Sequence, residues 1–253
     1  MIAMRTDRQH IQTGSCNTVL KEYYARYLQD VRKLSRSTVH HYWDALNNIS
    51  RRLKDMGLVQ DDIYEIGDLA RLQEVREILF CDADFKALNS RGNQMYSAAF
   101  NNYFRFASGE DITKFKARAD VLDMPVDVPP SHVSERQIVY RSGIIRLQVM
   151  EFAHYTCELH PEHRSFIAEK THKPYMEGHH AISLHNQPAF SHSLDVYANI
   201  VCLCPVCHRQ IHYGLIEDKT EMLRQIYHFR AERLAKSGLP VSENEFLELA
   251  MRQ

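Results

Sequence analysis

Two cysteines separated by two residues, Cys204 and Cys207, lie within a histidine-rich stretch and limit the folds that this chain can adopt. A third cysteine, Cys157, opens the same stretch. Two thiolates on one tight turn can share a cation, and this spacing beside histidines is typical of a zinc site. We therefore expect one structural zinc, bound by the three cysteines and by either His160 or His163.

The use of cysteine also indicates a cellular compartment. A secreted disulfide scaffold is usually shorter than this chain of 253 residues and follows a signal peptide. The N-terminal residues contain no apolar run, and no uninterrupted apolar stretch of about 18 residues occurs anywhere. We therefore expect a cytoplasmic protein with no membrane partner.

The overall charge excludes one class of nucleic-acid-binding protein. The formal net charge is -1, whereas a protein that coats nucleic acid by bulk charge is strongly basic. Any contact with nucleic acid must therefore come from a local basic face.

Helical periodicity dominates the N-terminal part of the chain. The spacing of apolar residues predicts helices at 18–33, from Ser35 or Ser37 to Gly57, at 67–80 and at 91–108. No alternating strand pattern interrupts these segments, so residues 1–108 are predicted to form a helical bundle.

The periodicity is lost over residues 109–133, where Pro129 and Pro130 cannot continue a helix. We predict that this segment is a linker. Residues 134–253 then form a second domain, which is expected to begin with a helix at Ser134.

The second domain contains histidines in a fixed order. His179 and His180 are adjacent, Asn199 follows nineteen positions after His180, and His208 follows nine positions after Asn199. His212 lies four residues after His208, on the same face of a helix. Together with the cysteines, this ordered set resembles the HNH nucleases, the zinc-containing members of the ββα-metal superfamily.

The resemblance implies a role for each of these residues. His180 is the expected general base, and Asn199 is expected to support catalysis by tying the hairpin loop and orienting His180. The set of His179, His208 and His212 is similar to the three-histidine variant of the colicin-type nucleases, and implies that these side chains bind the catalytic cation.

Two further assignments follow from the same resemblance. His163 is favoured over His160 as the fourth zinc ligand, because a histidine recurs at that place in HNH proteins of similar sequence. Arg209, next to His208, is a candidate phosphate clamp, and its alternative interpretation is an ordinary solvated helix residue.

The expected fold class is α+β and mainly helical: an N-terminal helical bundle followed by a zinc-stabilised ββα-metal (HNH) nuclease module with flanking helices. The expected cofactors are one structural zinc and one catalytic divalent cation, which is Mg, Mn, Ni or Zn. A site of three imidazoles can accept zinc, nickel or manganese as well as magnesium, although magnesium prefers oxygen ligands.

The expected partner is double-stranded DNA, and a homodimer is one arrangement that would allow both strands to be cut. Arg36, Arg51 and Arg52 in the N-terminal domain are candidate phosphate contacts, because cations on one rim of a helical bundle can position DNA. The alternative is that these arginines form a solvated face.

The function expected from these residues is metal-dependent endonucleolytic hydrolysis of DNA, with a restriction or phage-defence role by analogy at the level of the fold. Two alternatives remain open. One is a non-catalytic zinc module that binds nucleic acid, and the other is a nickase or toxin nuclease of relaxed specificity.

Overall fold

The computed structural model describes residues 18–114, 118–128 and 142–252, and these residues form ten α-helices and one pair of β-strands. The helices are α1 (Thr18–Arg26), α2 (Arg36–Asp55), α3 (Leu69–Cys81), α4 (Ala83–Arg91), α5 (Met95–Ser108), α6 (Glu110–Lys114), α7 (Gly143–Phe152), α8 (Pro205–Tyr213), α9 (Ile216–Lys236) and α10 (Glu243–Met251). The strands are β1 (Glu177–His180) and β2 (Ile200–Leu203). Cys16 lies outside the described residues, as does the predicted helix from Ser134 up to residue 141.

Side-chain caps account for where the N-terminal helices begin. Ser35 accepts a hydrogen bond from the amide of Thr38 and so starts α2, as one of the two predicted caps. Asp68 and Asp82 start α3 and α4 in the same way. Helix α4 was not predicted from the sequence, and α1 is shorter than predicted because the chain passes into a π-helical turn at Tyr27–Val31.

Aromatic side chains fill the space between α1, α5 and the turn at Ile63–Glu65. Tyr103 meets both Tyr24 and Tyr64 edge to face, with ring centroids 5.1 Å apart in each pair. The Tyr24 hydroxyl donates to the side-chain oxygen of buried Asn102 over 2.9 Å. Buried tyrosines need such a partner, so this contact lets the ring pack without an unpaired polar group.

The N-terminal helices pack directly against the C-terminal part. Helix α5 contacts α7, and the ring of Tyr23 on α1 lies 4.3 Å from that of Tyr197. The segment 109–133, predicted to be a linker, contributes α6 and places Leu122 and Val126 in the same buried core. The predicted domain boundaries at 108 and 134 stay a prediction.

The two strands and α8 form a small ββα unit. Strand β1 pairs antiparallel with β2, so that Glu177 is opposite Leu203 and His180 is opposite Ile200. Helix α8 follows β2 at once, with Pro205 in its first turn. The predicted fold class is therefore confirmed as α+β and mainly helical.

Helix α9 forms two ion pairs, and one of them anchors this unit through the buried Arg230. Arg230 donates to both carboxylate oxygens of Glu158 and to the carbonyl of Ile200 in β2. Arg233 forms a two-point pair with the buried carboxylate of Asp123, at 2.6 and 2.9 Å. None of the described helices combines the length and apolar character that crossing a membrane requires.

The pair of Arg233 and Asp123 predicts a large effect of one substitution. Arg233→Ala leaves a carboxylate that is fully shielded from solvent without its partner, which is expected to cost about 3 to 5 kcal/mol of unfolding free energy. The matched control is Arg118→Ala, because the pair of Arg118 with Asp120 is mostly exposed and its loss should change little. Urea unfolding of both variants measures the contrast, and equal effects would contradict this interpretation.

Candidate functional site

Three buried cysteines meet where α8 begins. The sulfur atoms of Cys157, Cys204 and Cys207 all lie within 4.8 Å of one another. Cys204 is the N-cap of α8, and its sulfur accepts a hydrogen bond from the amide of Cys207. The helix start thereby holds two of the three thiols in place.

His163 lies beside two of these thiols. Its Nδ1 atom lies 3.5 Å from the sulfur of Cys204 and 3.4 Å from that of Cys207. His160, the other histidine that the sequence left open, instead places its Nδ1 atom 3.1 Å from a carboxylate oxygen of Glu162. The structure therefore brings His163, rather than His160, into contact with these two thiols.

This donor set fits zinc. Three sulfurs and one imidazole nitrogen match the ligands of a tetrahedral structural site. Burial raises the pKa of the Cys207 thiol well above its usual range, so a nearby cation is needed to favour the thiolate. Cys202 in β2 is also buried, but it stands outside the cluster, with its amide bonded to Glu158.

Three imidazoles form a second cluster, between β1 and α8. The ring of His179 lies 5.3 Å from that of His208 and 5.2 Å from that of His212. The Nε2 atoms of His208 and His212 are 3.3 Å apart. One turn of helix separates these two residues, so both present their rings to β1.

The environment of His179 suits a metal ligand. The residue is 2% exposed, and its Nε2 atom has no hydrogen-bond partner among the described residues. Buried polar atoms are normally paired, so this lone nitrogen is available for a cation. Burial and, to a lesser extent, the neighbouring His208 and His212 lower the pKa of His179 to about 3, which keeps the ring neutral.

Glu177 is a member of this cluster that sequence reasoning missed. Its carboxylate contacts Nδ1 of His208 and so orients the ring, with Nε2 towards His212. The signal was present in the sequence, because residues two apart on a strand share a face and Glu177 precedes His179 by two.

His180 follows His179 on β1 but makes a different contact. Its Nε2 atom lies 2.9 Å from Oδ1 of Asp195, and both side chains are largely buried. Asp195 lies in the irregular segment between β1 and β2. No periodicity marks such a segment, so the sequence analysis had no basis for selecting Asp195.

The side chain of Asn199 forms hydrogen bonds to both ends of the segment between the two strands. Its side-chain nitrogen donates to the carbonyls of Ile182 and Leu194 at 2.8 and 2.9 Å, and its side-chain oxygen accepts from the amide of Ile182. The residue is fully buried. These three bonds fix the backbone on either side of the segment that carries Asp195.

The four candidate DNA-contacting arginines fall into two groups. Arg209 on α8 is exposed beside the histidine cluster, and Arg36 and Arg51 on α2 are also exposed. Arg52 is half-buried and paired with Asp82. A phosphate contact by Arg52 would therefore compete with an existing ion pair.

The thiol cluster predicts a metal-dependent stability. Cys207→Ala should reduce bound zinc from about one ion per chain to almost none and lower Tm by on the order of 10 °C, because zinc binding is linked to folding. Cys202→Ala is the matched control, since it removes a buried thiol of the same unit from outside the cluster. Elemental analysis and thermal unfolding test this, and equal zinc content in both variants would count against the site.

The burial of His179 predicts that the unfolding free energy of the metal-free protein depends on pH. Above pH 6.5 both folded and unfolded states keep the ring neutral, so its contribution to stability is complete. As the pH falls from 6.5 towards 3, the unfolded chain binds a proton and the folded chain does not, so stability falls by about 1.4 kcal/mol per pH unit.

Urea unfolding measures the loss of unfolding free energy between about pH 7 and about pH 5 in the wild type and in His179→Gln. The loss should be smaller in the variant by about 2 kcal/mol, which is the part contributed by His179. Because the other titrating groups are common to both proteins, the difference isolates His179. The same loss of stability in both proteins would rule out this origin.

Comparison with known proteins agrees with the geometry. Residues 162–214 match the family model of the HNH endonucleases. The type IV methyl-directed restriction enzyme EcoKMcrA of Escherichia coli (strain K12) is 30% identical over 99 residues, which are 39% of this chain. The match spans only 33% of that relative, and no solved structure matches the chain. An HNH endonuclease domain therefore lies at residues 162–214, around the histidine cluster.

Proposed function

We propose that the chain is a metal-dependent DNA endonuclease of the restriction type, with His180 as general base. The observation that carries the proposal is the meeting of His179, His208 and His212 on one side of β1, directly beside His180 and within the HNH match. A zinc module with a purely structural role has no need of a second ligand cluster.

The three imidazoles bind the catalytic cation, which is Mg, Mn, Ni or Zn. Such a cation supplies charge stabilisation to the phosphate and to the leaving oxygen. Glu177 holds the ring of His208 in the orientation that directs Nε2 towards the site. Burial keeps His179 unprotonated, so its nitrogen is ready to bind.

His180 accepts the proton of the attacking water. Imidazole is the side chain best suited to this role near neutral pH. Asn199 holds the segment opposite His180 through its three backbone hydrogen bonds. Arg209, exposed one residue after His208, neutralises a phosphate oxygen of the scissile strand.

Cys157, His163, Cys204 and Cys207 would hold the structural zinc, which would fix the start of α8. This matters for catalysis because the same helix carries His208 and His212. A shift of the helix by one residue would turn both imidazoles away from β1.

The substrate is double-stranded DNA. The relative is named as a methyl-directed restriction enzyme, which supports a role in restriction and a preference for modified DNA. The N-terminal domain, residues 1–108, selects the DNA, and exposed Arg36 and Arg51 contact phosphates. Cleavage of both strands is assigned to a homodimer with one site for each strand.

Incubation of supercoiled plasmid with Mg²⁺, Mn²⁺ or Ni²⁺ tests the proposal. The wild type should cut, and His180→Ala should slow cleavage by about 10²- to 10⁴-fold, because it removes the general base. The control is His185→Ala, which changes an exposed histidine outside the cluster. A parallel assay on methylated and unmethylated plasmid measures the preference for modified DNA.

Equal cutting by the wild type and His180→Ala would remove the assigned base. The absence of cutting with all three cations would leave a zinc module that binds nucleic acid without cleaving it. A gel-shift assay with the same plasmid fragments would then measure that binding.

A further inference from the structure

A buried carboxylate lies behind the proposed base. Asp195 is 5% exposed, and its two side-chain oxygens have different partners. Oδ1 lies 2.9 Å from Nε2 of His180, and Oδ2 accepts a hydrogen bond of 2.7 Å from the amide of Ser142. Ser142 is itself 1% exposed. The carboxylate thus joins the imidazole to a fixed backbone donor.

Ser142 is also the N-cap of α7, where its hydroxyl accepts from the amide of Ile145. The first turn of a helix carries partial positive charge, so a carboxylate anion is favoured at this position. The Ser193 hydroxyl in turn accepts from the amide of Asp195 and holds its backbone. The orientation of Asp195 is therefore set by parts of the fold outside the histidine cluster.

We propose that Asp195 is a positioning residue that fixes the tautomer of His180, an inference that rests on the proposed function. An ionised carboxylate only accepts hydrogen bonds, so Nε2 of His180 must carry the proton that it donates to Asp195. In the neutral ring Nδ1 then carries the lone pair and accepts the proton of the attacking water.

The proposed step transfers one proton from water to Nδ1 of His180. One O–H bond of water breaks and one N–H bond forms at Nδ1, which yields hydroxide and an imidazolium ring. The Nε2 proton stays between the ring and Asp195, whose negative charge stabilises the imidazolium. Asp195 itself touches neither water nor phosphate in this step.

Asp195→Asn provides a sharp test because the Ser142 amide can only donate. The new side chain must turn its oxygen towards Ser142 to avoid an unpaired buried donor, and its NH₂ group then faces His180. Nε2 of His180 must now accept, which moves the ring proton to Nδ1. The base is then in the wrong tautomer, with the shape of the site unchanged.

The expected result is a fall in kcat for plasmid cleavage by about 10²- to 10⁴-fold, with KM and the affinity for Ni²⁺ unchanged. The matched control is Asp123→Asn, which neutralises another buried carboxylate, one that is paired with Arg233 and lies outside the histidine cluster. It should lower Tm and leave kcat as in the wild type. In a His180→Ala background, Asp195→Asn should cause no further loss of kcat.

Nitrogen-15 NMR of the histidine rings gives a readout that is independent of cleavage. The signals of His180 are assigned by their loss in His180→Ala. The wild type should show the proton on Nε2, and Asp195→Asn should show it on Nδ1. A wild-type ring protonated on Nδ1 would overturn the inference without any need for the variant to fold.

The outcomes separate the two proposals. If His180→Ala fails to cut while Asp195→Asn cuts at the wild-type rate, the positioning role is wrong and the proposed function stands. If Asp195→Asn lowers kcat equally with and without His180, its effect is structural and the inference again fails. If the wild type cuts with none of the three cations, the proposed function fails, and the positioning role fails with it.

Discussion

Two strands of four residues each are too small to be stable alone, and the rest of the site depends on how this limit is overcome. Contacts from α8, from α9 and from Asn199 stabilise the two strands. Helix α8 starts at Cys204, within the thiol cluster, and packs across both strands. Helix α9 sends Arg230 to the carbonyl of Ile200, and Asn199 fixes the connecting segment. These contacts hold the three clustered histidines in place.

The N-terminal helices belong to the same support. The ring of Tyr23 packs on Tyr197, which lies two residues before Asn199. The hydroxyl of Tyr197 donates to Gln148 on α7, the helix whose cap meets Asp195. A continuous set of buried contacts therefore runs from α1 to the segment between the strands.

The sequence predicted the parts of the site that follow a local rule. The i and i+4 spacing of His208 and His212, and the two-residue separation of Cys204 and Cys207, are set by helix and turn geometry. The structure brings these residues together with His179 and Cys157, while their roles remain proposals. Contacts made across irregular backbone could not be predicted, since no periodicity relates Asp195 to His180.

Two features of the fold were not predicted, because the local sequence patterns that mark them are weak. The Asp82 cap that starts α4 was present in the sequence, but the segment after it has too weak an apolar pattern to be identified alone. The segment 109–133 contains prolines and loses its periodicity, yet Leu122 and Val126 are buried in the core. Tertiary packing, rather than local sequence, decides the structure of such a segment.

The desolvation of His179 has a consequence for metal exchange. A ring that is already neutral releases no proton when a cation binds, so under the proposed function His179 would add nothing to the pH dependence of metal affinity around neutrality. Burial also lowers the pKa of His212, in the same direction. The fold itself thus keeps the Nε2 lone pair of His179 available near neutral pH, so a cation bound there would not have to displace a proton from this ring.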